Sequence, residues 1–308
     1  MDSGIGMMAG VERAEVERDA PVPTWFGVGG RADALARPRS VEELRGLLGA
    51  FAGHPVRVLG DGANLLVADE GIDGLVVSLE RLEPESAEVE HGDGSVTLVR
   101  GAGLSLPRLV TDTVREGLAG LEGLAGVPAS LGGAVMMNAG GAFGQIGDAV
   151  AFVRALRATG EPVSLARGEI EFGYRRSGLA GLIVTSVGLR LRRVAEGERA
   201  ALRERLKEVM ASKKASQPMG ADSAGCFFKN PTIDGSRVSA GMLIDRAGCK
   251  GMRVGGAEVS AVHANFIVTH ADCTATDILM LAERVRERVR TAHGVSLENE
   301  VVVWRRGP

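Results

Sequence analysis

The chain has 308 residues, 45% of them hydrophobic and 24% charged, which is enough to bury a large core and too long for one compact domain of average size. Its formal net charge is -3 with acidic and basic residues intermixed, so no global field exists to hold nucleic acid or an anionic membrane surface. The cysteines, Cys226, Cys249 and Cys273, are odd in number and lie 23 and 24 residues apart, which fits neither a zinc knuckle nor a disulfide framework and points to a reducing cytosol with no metal site.

The first residues carry Asp2, Glu12, Glu15, Glu17 and Asp19 without an apolar core, unlike a secretory signal, and no apolar run is long enough to span a bilayer. Residues 1–22 are therefore expected to form a mobile leader to a cytoplasmic protein. Ser40 with Glu43 makes a capping box, and Val41, Leu44, Leu47 and Leu48 repeat at helical spacing, which predicts a helix over 41–51. Apolar runs flanked by glycine predict strands at 56–59, 75–79 and 96–99. A helix is expected over 106–116, followed by a long loop, 117–147, holding ten glycines and few charges. Strands follow at 151–158 and 183–191, with Thr159-Gly160 as a turn. A charged helix over 198–213, with Leu202, Leu206 and Val209 on one face, fits a joint between two domains. Beyond it the pattern predicts a short helix over 240–246, a strand at 265–268, an amphipathic helix over 275–292 and a closing strand at 300–304. Ile278, Leu281, Val285 and Val289 form the apolar stripe of the long helix.

Five segments bear on chemistry. Gly60-Asp61-Gly62-Ala63-Asn64-Leu65 follows a strand and is either a tight turn or a phosphate cradle built from bare backbone N–H groups. It is not a dinucleotide fingerprint, because Leu65 stands where the third glycine would be, and no Lys-Ser/Thr follows to make a P-loop. The second, 123–141, includes Gly126, Ser130, Gly132, Gly133 and Asn138; apolar and rich in alanine and glycine, it suits close packing on a large flat ligand better than a polar hinge. Around Tyr174, the sole tyrosine, stand Arg175, Arg176 and Ser177, a surface pair of arginines or a bidentate anion contact. Cys226 follows Ala224-Gly225 and precedes Phe227-Phe228-Lys229-Asn230, where a lone thiol is either core or reagent. Finally, Glu298 and Glu300 flank Asn299 and, in a strand, share one side.

In this order, from Pro23 to Trp304, these segments resemble the UDP-N-acetylenolpyruvoylglucosamine reductase (UDP-N-acetylmuramate dehydrogenase) family. The resemblance implies an α+β fold: a two-lobed FAD-binding domain of the vanillyl-alcohol-oxidase/PCMH type over 23–195 and a C-terminal α+β substrate-binding domain over 196–308. It implies FAD and NADPH as cofactors, and UDP-N-acetylglucosamine enolpyruvate as the substrate reduced on the route to peptidoglycan, with a monomer favoured. Gly60, Gly62, Ala63, Asn64 and Leu65 match the residues on the FAD pyrophosphate, and Gly126, Ser130, Gly132, Gly133 and Asn138 those beside the flavin. Arg175 and Glu300 match the groups that hold and polarise the substrate carboxylate, and Cys226 matches the proton donor. Tyr174, Lys214, Lys229, Asn230 and His263 match positions that contact the UDP-sugar, although Lys213 and Lys214 are not separable by alignment and His263 reads equally as a core histidine.

Two departures from the family pattern stand out. Serine is the usual donor where this chain has Cys226; a thiol, with a reference pKa of ~8.5, remains mostly protonated at neutral pH and is the stronger acid. The chain also lacks the inserted segment that carries a second tyrosine in some members, and so resembles the family's shorter form. Two other readings are another FAD-dependent oxidoreductase of the same fold and a non-catalytic flavin- or nucleotide-binding protein. The first commonly tethers FAD through His or Cys, neither of which occurs in the glycine loops here, and the second predicts disruption of the acid-base set.

Overall fold

A computed structural model describes residues 15–83 and 86–307. By compactness the chain forms two units, one of Met1–Arg18, Ala34–Gly60 and Gly74–Ala211, the other of Asp19–Asp33, Asp61–Asp73 and Ser212–Pro308. Of the expected leader, residues 1–14 lie outside the described residues, whereas Val16–Pro21 is a strand paired at the edge of a sheet. Its sequence gives no alternating apolar signal, so pairing rather than propensity orders it.

The first unit is built on two sheets. Val56–Leu59 and Ile72–Ser78 pair in parallel, and helix α1, Val41–Ala50, precedes them, following Arg31–Ala36; Arg31–Ala36 and Val16–Pro21 complete the order. Helix α1 starts at the predicted Ser40 cap: Glu43 N donates to Ser40 Oγ at 3.1 Å, while the Glu43 carboxylate accepts from Arg39 N at 2.8 Å in place of the Ser40 N–H of a full capping box. Leu44, Leu47 and Leu48 are its buried face. The larger sheet is antiparallel, in the order Pro162–Ala166, Val150–Arg157, Leu182–Arg193, Ser95–Gly101, Ala87–Glu90. Helix α2, Leu106–Arg115, contributes Leu106, Leu109, Val110 and Val114 to the interior.

The segment expected to be a loop over 117–147 is partly regular. It contains helix α3, Leu131–Met136, and a hairpin of Gly140–Gly141 with Gly144–Gln145. Two glycines lower helix propensity, but a Cβ at Gly132 would stand 2.8 Å from the Ala102 Cβ, so tertiary packing overrides propensity and demands the glycine. Helix α4, Arg199–Ser216, buries Leu202 and Val209 as its stripe predicts.

In the second unit, helix α5, Ala240–Arg246, and helix α6, Ala275–His293, enclose an apolar core with Phe26, Phe227 and Phe228. The rings of Phe227 and Phe228 are 5.1 Å apart edge to face, and those of Phe26 and Phe227 6.5 Å. Arg253–Val254, Ala257–Val259 and Ile267–Thr269 form an antiparallel sheet, and Leu65–Val67 pairs in parallel with Val302–Trp304. Among the described residues no helix is long and apolar enough to cross a membrane, and no group of three or more His, Cys, Asp or Glu could hold a metal ion.

Asp69, just past Leu65–Val67, caps α6 from outside its own sequence: Ala275 N and Thr276 N donate to its carboxylate at 2.9 and 2.8 Å, and Thr276 Oγ1 at 2.6 Å. Burial pushes the Asp69 pKa up, but these hydrogen bonds outweigh it and hold the carboxyl below its ordinary value. Stability from Asp69 is therefore present above the unfolded carboxylate pKa and lost as pH falls through the lower folded value. Asp69→Ala is expected to cost about 1–2 kcal/mol near neutrality. Urea unfolding of both proteins at pH 7 and near pH 3 should show that difference narrowing in acid.

Candidate functional site

In the first unit the two glycine segments come together at Ser130. A Cβ on Gly60 would lie 2.6 Å from Ser130 Oγ, and that buried oxygen caps α3 by accepting from Gly133 N at 3.3 Å. Leu131 N donates to Leu104 O and Gly132 N to Ala102 O, both at 2.8 Å, so the start of α3 is pinned by its backbone. Gly126 turns left-handed at φ +70°, a conformation with little penalty only for glycine. The result is bare main chain on both sides of a serine, a cradle that any side chain at Gly60 would fill.

The segment after α3 is tied to the Tyr174 region. Asn138, buried and left-handed at φ 43°, donates through Nδ2 to Gly173 O and to Gln145 Oε1, both at 3.0 Å, and accepts from Gly147 N at 3.1 Å. Its amide thus anchors the loop from within. Arg175 Nη1 donates to Gly140 O at 2.8 Å and Ser177 Oγ to Met136 O at 2.9 Å. The Arg175 guanidinium lies 5.5 Å from the Tyr174 ring centroid, within cation–π range. Arg175 has φ +55°, an uncommon conformation for a residue with a Cβ, held here by its surroundings.

In the second unit, Cys226, Lys229, Asn230 and Glu300 lie on segments joined through the backbone of Phe227 and its neighbours. Phe227 N donates to Asn265 O at 2.7 Å, and Phe227 O accepts from Glu300 N at 2.8 Å and Val301 N at 3.3 Å. Cys226 thereby precedes, and Glu300 donates its N–H to, the residue whose carbonyl joins the two extended segments. Lys229 N donates to Glu298 O at 2.8 Å, and Lys229 Nζ meets the Glu298 carboxylate at 3.4 Å. Asn230 Oδ1 accepts from Ala240 N at 2.9 Å, at the start of α5. The Gly62–Leu65 end of the first motif joins the same cluster: Asn64 Nδ2 donates to Glu300 O at 3.2 Å, and Val302 N to Asn64 O at 3.1 Å. Gly62 is at φ +68°, where a Cβ would run into Pro23 O, and Ala63 follows it, half-buried.

His263 Nδ1 accepts from Asn265 N at 3.2 Å, and its ring packs edge to face on Phe266 at 4.8 Å. Burial lowers its pKa, so the neutral ring carries its proton on Nε2. Of the two lysines that sequence left unseparated, Lys214 is exposed and Lys213 is half-buried, with burial lowering its pKa to about 8. Sequence reasoning missed Asn265 and Asn299. The available signal was a polar residue standing directly before the apolar run Phe266-Ile267-Val268.

A profile described as UDP-N-acetylenolpyruvoylglucosamine reductase, C-terminal domain, matches residues 217–304, and an FAD binding domain profile matches 32–166. The reductase of Moorella thermoacetica is 44% identical over 289 residues, spanning 92% of this chain and 91% of its own. That of Desulfosudis oleivorans is 39% identical over 317 residues, covering 98% and 99%. The chain belongs to the UDP-N-acetylenolpyruvoylglucosamine reductase family. The crystal structure of the reductase (MurB) from Thermus caldophilus aligns with a TM-score of 0.76 at 41% identity, covering 95% of this chain and 99% of that one. The family and the α+β architecture of an FAD-binding domain followed by a reductase C-terminal domain, both expected from sequence, are borne out.

Asn138→Ala removes both partners of the Gly147 N–H and Gly173 carbonyl bonds at a buried site. A loss of about 2–3 kcal/mol is expected from the groups left unsatisfied, read as a lowered urea midpoint with an unchanged m-value.

Proposed function

We propose that this reductase-family chain uses NADPH and FAD to reduce UDP-N-acetylglucosamine enolpyruvate to UDP-N-acetylmuramate in the cytoplasm, for peptidoglycan precursor synthesis. The observation that carries the reading is the junction at Phe227, where backbone hydrogen bonds hold the segments that carry a thiol and a carboxyl side by side. Among the described residues no disulfide joins Cys226, Cys249 or Cys273, in keeping with a reducing compartment. The working form is taken to be a monomer.

In the first unit the residues present fit an FAD: the missing side chains at Gly60 and Gly133 beside Ser130, and the left-handed Gly126, let a pyrophosphate or a flat ring approach the main chain without meeting a Cβ. Gly60, Gly62, Ala63, Asn64 and Leu65 are assigned to the pyrophosphate, and Gly126, Ser130, Gly132, Gly133 and Asn138 to the flavin side. In domain terms, 23–195 would bind FAD and 196–308 the UDP-sugar. When bound, FAD supplies the hydride, taken from NADPH, that reaches the vinyl carbon of the substrate.

The protein's own residues then have two tasks. Arg175 meets the substrate carboxylate as negative charge grows on the adjacent carbon, and a protonated Glu300 donates a hydrogen bond to the same group. Cys226 gives its proton to that carbon, and the thiolate recovers one from solvent. A thiol with a reference pKa of ~8.5 is protonated at pH 7 and acidic enough to respond to a carbanionic centre. Lys229, Tyr174, Asn230, His263 and Lys214 are assigned to the UDP-sugar. Neutral His263 offers Nε2–H as a donor, while Lys213, being half-buried, is a stronger claimant than exposed Lys214 to a fixed anion contact.

The test is anaerobic. Protein reduced with NADPH and then mixed with UDP-N-acetylglucosamine enolpyruvate should regain its flavin absorbance band promptly and yield a lactyl ether. A flavin that reduces but ignores this substrate contradicts the assignment. Cys226→Ser, which keeps a hydroxyl donor, is expected to retain turnover within about tenfold and to lose sensitivity to iodoacetamide.

A further inference from the structure

Asn265 is 3% exposed, and both ends of its carboxamide are spent on one residue. Phe228 N donates to Oδ1 at 3.0 Å, and Nδ2 donates to Phe228 O at 2.8 Å. Its backbone adds the bond from Phe227 N to Asn265 O, at 2.7 Å. Ladder pairing here is minimal, a single antiparallel bridge between Cys226 and Phe266. The amide therefore stands in for a missing strand residue, presenting an acceptor and a donor at the spacing of a peptide pair.

Such a clamp matters for register. Side chains alternate along an extended segment, so a slip of one residue exchanges its two faces. Phe227 and Phe228 are buried and Cys226 is partly exposed; a slip that carried Cys226 into the place of Phe227 would bury the thiol. On the opposite side Phe228 bridges to Asn299, whose Oδ1 accepts from Arg286 Nη2 at 2.8 Å, and Arg286 Nε donates to Leu297 O at 3.0 Å. That hold acts on the 297–299 segment, whereas Asn265 grips both peptide groups of Phe228 itself.

We infer that Asn265 is a positioning residue: its carboxamide fixes the register of 226–228 and so sets where the Cys226 thiol points. The consequence for catalysis rests on the donor assignment for Cys226; the consequence for the thiol's position does not. A merely structural amide would, on removal, lower stability and flavin content without moving the thiol.

The experiment uses flavin-loaded enzyme with Asn265→Ala, following iodoacetamide labelling of the Cys226 peptide by mass spectrometry alongside the two anaerobic half-reactions. The labelling rate should change at least about fivefold and flavin reoxidation by UDP-N-acetylglucosamine enolpyruvate should slow at least about tenfold, the scale of a displacement near 1 Å. Flavin reduction by NADPH should remain within about twofold of wild type, because it needs no proton from Cys226. If Asn265→Ala does not retain flavin, Asn265→Gln keeps the amide but displaces it by one methylene and is read by the same criteria. Altered labelling with unchanged reoxidation supports the register inference and removes the donor assignment. Wild-type labelling and reoxidation in a folded, flavin-loaded variant overturn the inference while leaving the donor assignment standing.

Discussion

The second unit depends on the hydrogen bonding of the two peptide groups that flank one residue, Phe227. Its side chain is fully buried, a gain of roughly 1.5–3 kcal/mol by apolar area, and a buried backbone cannot leave its donor and acceptor unpaired. Asn265 satisfies the N–H, and Glu300 with Val301 satisfies the carbonyl. The core thus dictates which chain segments must lie beside Phe227, and those segments carry the thiol and the carboxyl. The thiol-bearing and carboxyl-bearing segments are positioned here by a hydrophobic anchor whose polar groups admit few partners.

In the first unit the corresponding constraint is close approach. Gly60 and Gly132 stand where a Cβ would collide with Ser130 and Ala102, so the cradle exists because side chains are absent. Its outer edge is then tied to the Tyr174 region by Asn138, Arg175 and Ser177. A left-handed residue other than glycine stores on the order of 1–3 kcal/mol. At Arg175 the bond to the Gly140 carbonyl and the Tyr174 ring face offset that strain and orient the guanidinium.

Helices were the most legible elements in the sequence, because caps and apolar stripes are local signals: α1 starts where Ser40 places it, and α6 buries the stripe of Ile278, Leu281, Val285 and Val289. The strands at Arg31–Ala36 and Ala87–Glu90 were not legible, being rich in alanine or glutamate and ordered by sheet partners. Leu65–Val67 was hidden because its partner, Val302–Trp304, lies at the far end of the chain. The motif at 60–65 read as one piece, yet the compact units divide after Gly60. Candidate site residues with distinctive chemistry, Cys226, Arg175 and Glu300, stood out through the order of motifs. Asn265 did not, since an asparagine's value as a clamp appears only once its two bonds to Phe228 are seen.

The most direct test of the account is to separate the two half-reactions in Cys226→Ala, a change that removes the proton and little volume. The account predicts that NADPH reduces the bound flavin at the wild-type rate, while UDP-N-acetylglucosamine enolpyruvate reoxidises it at least about a hundredfold more slowly. Wild-type reoxidation by this variant would contradict it, and would move the proton source away from the Phe227 junction.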